Sequence, residues 1–362
     1  MTTGPMKTEP RTAYSKWMLL FILQWISMST CCFAKEDHSP DLPLFYWKEG
    51  PFVNFGDYIS LKIVERITGE PVRAYNKMGA KEKKLLAVGS IFYFASDNDV
   101  IWGSGINGKT LHKKDYRFDK LDVRAVRGPL TRKFLIENFN IDCPDVYGDP
   151  GLLFPYLFPE FTRKENPTRD FIIIPHYSEN NLFPKTKFSN VVYPTEPWDQ
   201  VIEAILDSKF VISSSLHGIV IAEAYGIPAR LLRITENESI FKYIDYYFGT
   251  NRPHFQFASS LEEALILGGE KPFECDLKKL YEAFPFEFWP KAIPNVIQKS
   301  VLGNAGAIDL QQAMPAPKQG MCKHMSDAGG CKDEDAGAAQ SQFLNHVRYN
   351  FKNLNFFMNG SL

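Results

Sequence analysis

Apolar runs that do not alternate with polar residues dominate the chain between residues 44 and 234. Leu44-Phe45-Tyr46-Trp47, Leu85-Leu86-Ala87-Val88, Val100-Ile101-Trp102 and 123–126 read as strands, and 171–174, 191–193, 210–212 and 229–234 repeat the pattern. A strand apolar on both faces must be covered on both faces, which points to parallel sheets. Between these runs the spacing becomes helical. Ile59, Ile63, Val64 and Ile67 share a face, Leu130, Phe134 and Leu135 follow Gly128-Pro129, and 198–206 is amphipathic. Alternating strands and helices fold as α/β. A polar stretch at 159–170 interrupts the alternation, which then restarts. We therefore expect two Rossmann-like parallel-sheet halves facing a cleft. The N-terminal half covers 35–160; the C-terminal half covers 168–300, with trailing helices at 261–267 and 277–284.

The ends of the chain read differently. Lys7, Arg11 and Lys16 precede an apolar run at 17–23, and Cys32-Phe33-Ala34 ends in the pattern a signal peptidase accepts. The run is short for a spanning helix. Residues 1–34 are expected to be a secretory signal directing the chain to the secretory pathway or periplasm, or alternatively a Golgi-type or inner-membrane anchor. Residues 301–340, rich in Ala, Gly, Asp and Lys, read as a disordered linker. Residues 341–362 read as a terminal amphipathic helix. Cys143 and Cys275 sit in apolar surroundings as buried thiols, and Cys322 with Cys331 reads as a loose disulfide.

Lys and Arg total 41 against 42 Asp and Glu, a net charge of -1. That balance excludes broad charge-driven nucleic-acid binding but leaves room for a local basic pocket. The best place for one is Phe210-Val211-Ile212-Ser213-Ser214-Ser215-Leu216-His217-Gly218. Here a buried strand ends, and a helix begins whose close packing Gly218 and Ala222 permit. Ser213, Ser214, Ser215 and His217 thus stand at the carboxyl end of a strand, where open α/β sheets bind ligands, and at a helix amino terminus, which favours anions. Asn54 and Asp57 flank Gly56 in a similar turn. Ser104 lies in a close-approach turn, Trp102-Gly103-Ser104-Gly105. Arg124, Arg127 and Arg132 bracket a helix start and are suited to gripping a phosphate or carboxylate. Asp149 lies in Tyr147-Gly148-Asp149-Pro150, and His176 follows a buried strand. On spacing alone the serines, Asn54 and Asp149 could equally be helix caps, the arginines surface ion pairs and His217 a satisfied core histidine.

In their order and spacing, Asn54-Phe55-Gly56-Asp57, Trp102-Gly103-Ser104-Gly105, Val126-Arg127-Gly128-Pro129-Leu130-Thr131, Tyr147-Gly148-Asp149-Pro150, Pro175-His176 and Ser213-Ser214-Ser215-Leu216-His217-Gly218 resemble polysaccharide pyruvyl transferases over residues 45–234. The resemblance implies a fold similar to the GT-B glycosyltransferases. It also implies transfer of pyruvate from phosphoenolpyruvate onto two hydroxyls of a glycan acceptor as a cyclic ketal, with no cofactor and no metal. It carries over His217 as catalytic acid, with Leu216 beside it. Some members have arginine immediately before this Leu-His pair. Here the position is Ser215, so the anion grip is expected to shift to Arg127, with Arg124 or Arg230. The chemistry also needs a base, for which His176 and Asp149 are candidates. Two alternatives are a GT-B nucleotide-sugar glycosyltransferase and a secreted glycan-binding protein without catalysis. The oligomeric state is not legible.

Overall fold

Short parallel strands, each followed by a crossover, build two separate four-stranded sheets. The computed structural model describes residues 42–48, 53–75 and 82–289, with Met1 and Gly4. The expected linker, terminal helix and Cys322–Cys331 pair lie outside the described residues, as does the N-terminal signal or anchor apart from Met1 and Gly4. Among the described residues no helix is long and apolar enough to cross a membrane.

The first sheet joins β1 (Leu44–Phe45), β2 (Leu85–Leu86), β3 (Val100–Trp102) and β4 (Asp122–Ala125) in that order, all parallel. Helix α1 (Phe55–Thr68) follows β1 and buries Ile59, Ile63, Val64 and Ile67. Gly69, in the left-handed region at φ 74°, terminates it by donating to the Glu65 carbonyl. Helix α2 (Pro129–Phe139) follows β4, and the one-turn α3 (Phe154–Leu157) ends this half.

The second sheet repeats the plan with β5 (Ile172–Ile174), β6 (Val211–Ser213), β7 (Ala229–Leu232) and β8 (Phe257–Ala258). Helices α4 (Trp198–Leu206), α5 (Leu216–Ala224), α6 (Phe241–Gly249) and α7 (Leu261–Leu267) connect and flank these strands, and α8 (Leu277–Glu282) follows. All nine residues of α5 are buried, which matches its apolarity on every side.

Two single-residue bridges complete the topology. Ala74 pairs with Leu44 outside β1, and Val191 pairs with Ile173 outside β5. Counting them, each sheet has its second segment on one side of the first and all later strands on the other. The strand order therefore reverses between β1 and β2, and again between β5 and β6. The expected strand at 191–193 is reduced to this one bridge. Pro194, which has no N–H to donate, follows directly. Conversely, β8 was not foreseen, because two residues carry no readable alternation.

A continuous apolar core runs through both halves, from Leu44 and Ile63 to Ile219, Tyr247 and Trp289. The chain also crosses back after the second sheet: Trp102 Nε1 donates to the Leu280 carbonyl at 2.7 Å, and Phe284 packs edge-on against Trp102. Cys143 is buried and Cys275 half-buried; both are free, and burial raises both thiols to about 12.

The Val126-Arg127-Gly128-Pro129-Leu130-Thr131 segment serves this junction. Arg127 and Asp245 on α6 are both wholly buried and lie 3.1 Å apart. Asp245 also accepts from the Thr131 backbone N–H at 2.9 Å and the Thr131 hydroxyl at 2.7 Å. Gly128 and Gly249 let the backbones touch: a Cβ at Gly128 would lie 1.8 Å from the Asp245 carbonyl oxygen. Replacing Asp245 by Ala would leave a buried guanidinium without its counter-charge, a loss of about 3–5 kcal/mol. Urea unfolding should show that loss, and Arg127→Met combined with Asp245→Leu should recover part of it. A loss below about 1 kcal/mol would show that the pair does not hold the halves together.

Candidate active site

The reversals of strand order in the two sheets face each other, and between them lies a cleft of about 200 Å³. Trp47 reaches it from the end of β1, and Ser90 and Ile91 from beyond β2. His176 and Tyr177 reach it from the end of β5, and Ser215, Leu216 and His217 from the end of β6. A crevice outside the carboxyl ends of strands, at such a reversal, is where open α/β sheets hold ligands.

His217 occupies the floor, in the first turn of α5, only 7% exposed. Its Nε2 is 3.5 Å from Asp149 Oδ2, and neither atom has a hydrogen-bond partner. The other edge of the ring lies against the first turn of α1. A Cβ at Gly56 would stand 2.0 Å from Nδ1, so the imidazole fits only because residue 56 has no side chain. Two helix amino termini thus converge on one ring. Ser215 holds the N-cap position of α5, but its side chain makes no capping bond, which leaves the first-turn N–H groups for a ligand. Asp57, in the first turn of α1, takes a 2.6 Å bond from Asn54 Nδ2. Burial raises the Asp57 carboxyl above its ordinary value, outweighing the opposing pull of Asn54 and His217.

The wall opposite is charged. Glu238 accepts from Lys242 Nζ at 2.5 Å and pairs with Lys109 Nζ at 2.6 Å, and His176 Nε2 lies 3.7 Å away. Burial opposes the Glu238 charge, but Lys242, His176 and Lys109 prevail and hold its carboxyl at about 2. For His176 burial is the leading effect, helped by Lys242, and it pushes the imidazole down to about 4. His176 is therefore neutral at pH 7 and a weak base. Its Nδ1 bonds the Ser178 hydroxyl at 2.8 Å.

Several residues expected at the site do not line the cleft. Arg124 is turned outward onto Asp122 and Glu287. Arg127 is spent on Asp245 and the Ile106 carbonyl, and reaches the cleft only through Ser90, whose hydroxyl accepts from Nη1 at 2.6 Å. Arg230 is enclosed by Glu270 and by the Gly268 and Gln256 carbonyls. Ser104 bonds the Gly89 carbonyl, and Ser213 the Ile174 carbonyl. Ser214 donates to Glu179 and accepts from the His176 N–H, which fixes the two strand ends side by side. Asp149 lies behind His217, with its other oxygen capping Gly151 N at 2.8 Å. Its free oxygen faces the imidazole, and Asp149 does not itself line the cleft. Asn54, Asp57, Ser215, Leu216, His176 and His217 do line the cleft. Lys109, Glu238 and Lys242 also line the cleft, though nothing in the motifs points to them. In sequence Glu238 and Lys242 look like any i,i+4 pair on a helix surface.

Residues 34–235, more than half the chain, match the polysaccharide pyruvyl transferase family. The chain belongs to this family. An uncharacterized protein of Acanthamoeba polyphaga mimivirus is 30% identical over 182 residues, covering 47% of this chain and 61% of that protein. The chain thus spans less than two thirds of that relative. The succinoglycan biosynthesis protein ExoV of Rhizobium meliloti (strain 1021) is 28% identical over 240 residues, covering 62% of this chain and 71% of ExoV. A solved structure of a functionally uncharacterized Klebsiella pneumoniae protein aligns over 67% of this chain and 98% of its own, at 13% identity and a TM-score of 0.35.

In this family member the depressed imidazole of His176 has a measurable consequence. Unfolded, the ring binds a proton near 6.5; folded, near 4. Between those values the unfolded state holds more protons, so stability is complete above pH 6.5 and declines as pH falls toward 4. The loss should approach about 3 kcal/mol. Urea unfolding at pH 7 and pH 4.5 should show it in the parent and much less of it in His176→Gln. An equally deep decline in the variant would mean that other groups produce it.

Proposed function

We propose that the cleft transfers pyruvate from phosphoenolpyruvate to two hydroxyls of a sugar, forming a cyclic ketal and releasing phosphate. The observation that carries this reading is the His217 ring itself: an imidazole on the floor of an anion-favouring cleft, held by shape between Gly56 and Asp149. Family membership supports pyruvyl transfer as the reaction type, and the relative named for succinoglycan biosynthesis supports a glycan acceptor.

The chemistry needs a proton delivered to carbon. His217 protonates the vinyl CH2 of the donor, which becomes the methyl group, and C2 takes on oxocarbenium character. One sugar hydroxyl adds to C2 and loses its proton. The bond from C2 to the phosphate oxygen breaks, and the second hydroxyl closes the ring. Of the two hydroxyl protons, one balances the proton given to carbon and the other leaves with phosphate. Asp57 suits the role of base, because burial has raised its affinity for a proton above that of an ordinary carboxylate. Asp149 Oδ2, 3.5 Å from Nε2, braces the far edge of the ring. First-turn N–H groups of α5 face the anionic donor without first being charged or moved. At the mouth, Trp47 and Tyr177, one from each half with ring centroids 5.3 Å apart, offer flat apolar faces for a sugar.

Incubation with phosphoenolpyruvate and a panel of hexosides should release phosphate and give products with the mass of the ketal. His217→Ala should slow phosphate release by about 10²–10⁴-fold, the usual worth of a general acid, at unchanged melting temperature. Gly56→Ala should match that loss by expelling the ring, although it removes no reactive group. Turnover at the parent rate in His217→Ala would end the reading.

A further inference from the structure

The arginines that the family motifs carry are engaged elsewhere, yet the cleft has cations of its own. Lys109 comes from the loop after β3 in the first half, and Lys242 from the first turn of α6 in the second. They meet on a single carboxylate, Glu238. Gly108 holds that junction in place: a Cβ there would lie 2.3 Å from the Phe241 side chain and 2.6 Å from the Ser239 hydroxyl. The loop bearing Lys109 is thus packed directly on the segment bearing Glu238. Lys109 is 54% exposed, whereas Lys242 and Glu238 are almost wholly enclosed. Lys242 also lies close enough to act electrostatically on Asp57, so the charged wall and the His217 floor belong to one field.

We propose that Lys109 and Lys242 form the anion clamp for the donor, and that Glu238 is its resident occupant, a carboxylate that the carboxylate or phosphate of the substrate displaces. The donor's identity rests on the phosphoenolpyruvate reading above; the clamp requires only a small anion. A buried ammonium without a counter-ion is costly, so the empty cleft needs an anion of its own. Glu238 supplies one negative charge against two positive ones. A phosphorylated carboxylic acid brings more charge and more acceptor oxygens, and can engage the same ammonium groups with charge-assisted bonds. Because the lysines come from different halves, an occupant also ties the halves together across the mouth.

The test measures binding, not turnover. Isothermal titration of the full chain with phosphoenolpyruvate and with inorganic phosphate would compare the parent, Lys109→Ala and Glu238→Gln at pH 7. Lys109→Ala, exposed enough to leave the fold intact, should bind both ligands about tenfold more weakly, the worth of one charged hydrogen bond. Glu238→Gln should bind them more tightly, by about tenfold, because the competitor has lost its charge. A purely structural ion pair predicts no gain in affinity for Glu238→Gln; a lower melting temperature is common to both, because either way Lys242 loses its counter-ion. Parental affinity in Lys109→Ala, or no gain in Glu238→Gln, overturns the clamp even if phosphoenolpyruvate is turned over. If phosphate binds with the expected dependence on both residues and phosphoenolpyruvate is not turned over, the clamp stands and the donor reading falls.

Discussion

One buried charge pair sets the alignment on which the cleft depends. Arg127 and Asp245 meet without solvent, each from a different half. Such a pair adds little net stability, because desolvating two ions nearly cancels their attraction. Its effect is on uniqueness. Any slide of one half over the other would strand a guanidinium or a carboxylate in the core, so a single alignment is tolerated. Gly128 and Gly249 reinforce this by allowing backbone contact that no side chain would permit. The tolerance is narrow, since His217 from one half fits against Gly56 of the other with no space for a methyl group. Arg127 also fixes Ser90: by donating to that hydroxyl it leaves the Ser90 proton free to turn toward the cleft.

The plan of two sheets was legible because buried parallel strands have a plain signature. Ile172-Ile173-Ile174 and Val211-Ile212 are apolar without alternation, and the second is followed by three serines and then a helix. His217 was legible for a related reason: its place follows from local chain geometry alone, where a strand ends and a helix begins. The sheet margins are less so: 191–193 reads as a strand yet keeps a single bridge beside Pro194, and Phe257-Ala258 is too short for periodicity to register.

The arginines expected at the cleft but engaged elsewhere share one cause. An arginine at a strand end looks the same whether it faces a soluble phosphate or an aspartate on a distant helix. Arg127 faces the aspartate, and Arg124 a neighbour two residues away together with Glu287. Lys109 is hidden in the sequence for the converse reason. Its loop has no local pattern, and its position in the cleft exists only once the two halves are docked. Contacts that depend on the docking of two separately readable units are the part of a site that spacing conveys least.

The position before Leu216-His217 then bears on the whole charge arrangement. An arginine there would bring a charge that persists at any accessible pH and a planar fork matched to phosphate or carboxylate. Ser215 brings neither. The positive charge facing the cleft is carried instead by ammonium groups, whose protonation burial can undo; for Lys242 burial does lower the proton affinity, and Glu238 restores part of it. A buried lysine of this kind needs a resident anion in the empty state, where a more weakly hydrated arginine needs one less. The absence of arginine at 215 and the presence of Glu238 between two lysines are therefore two aspects of one arrangement. In the proposed clamp, the donor anion enters a cleft that is already charged and already neutralised, and binds by exchange.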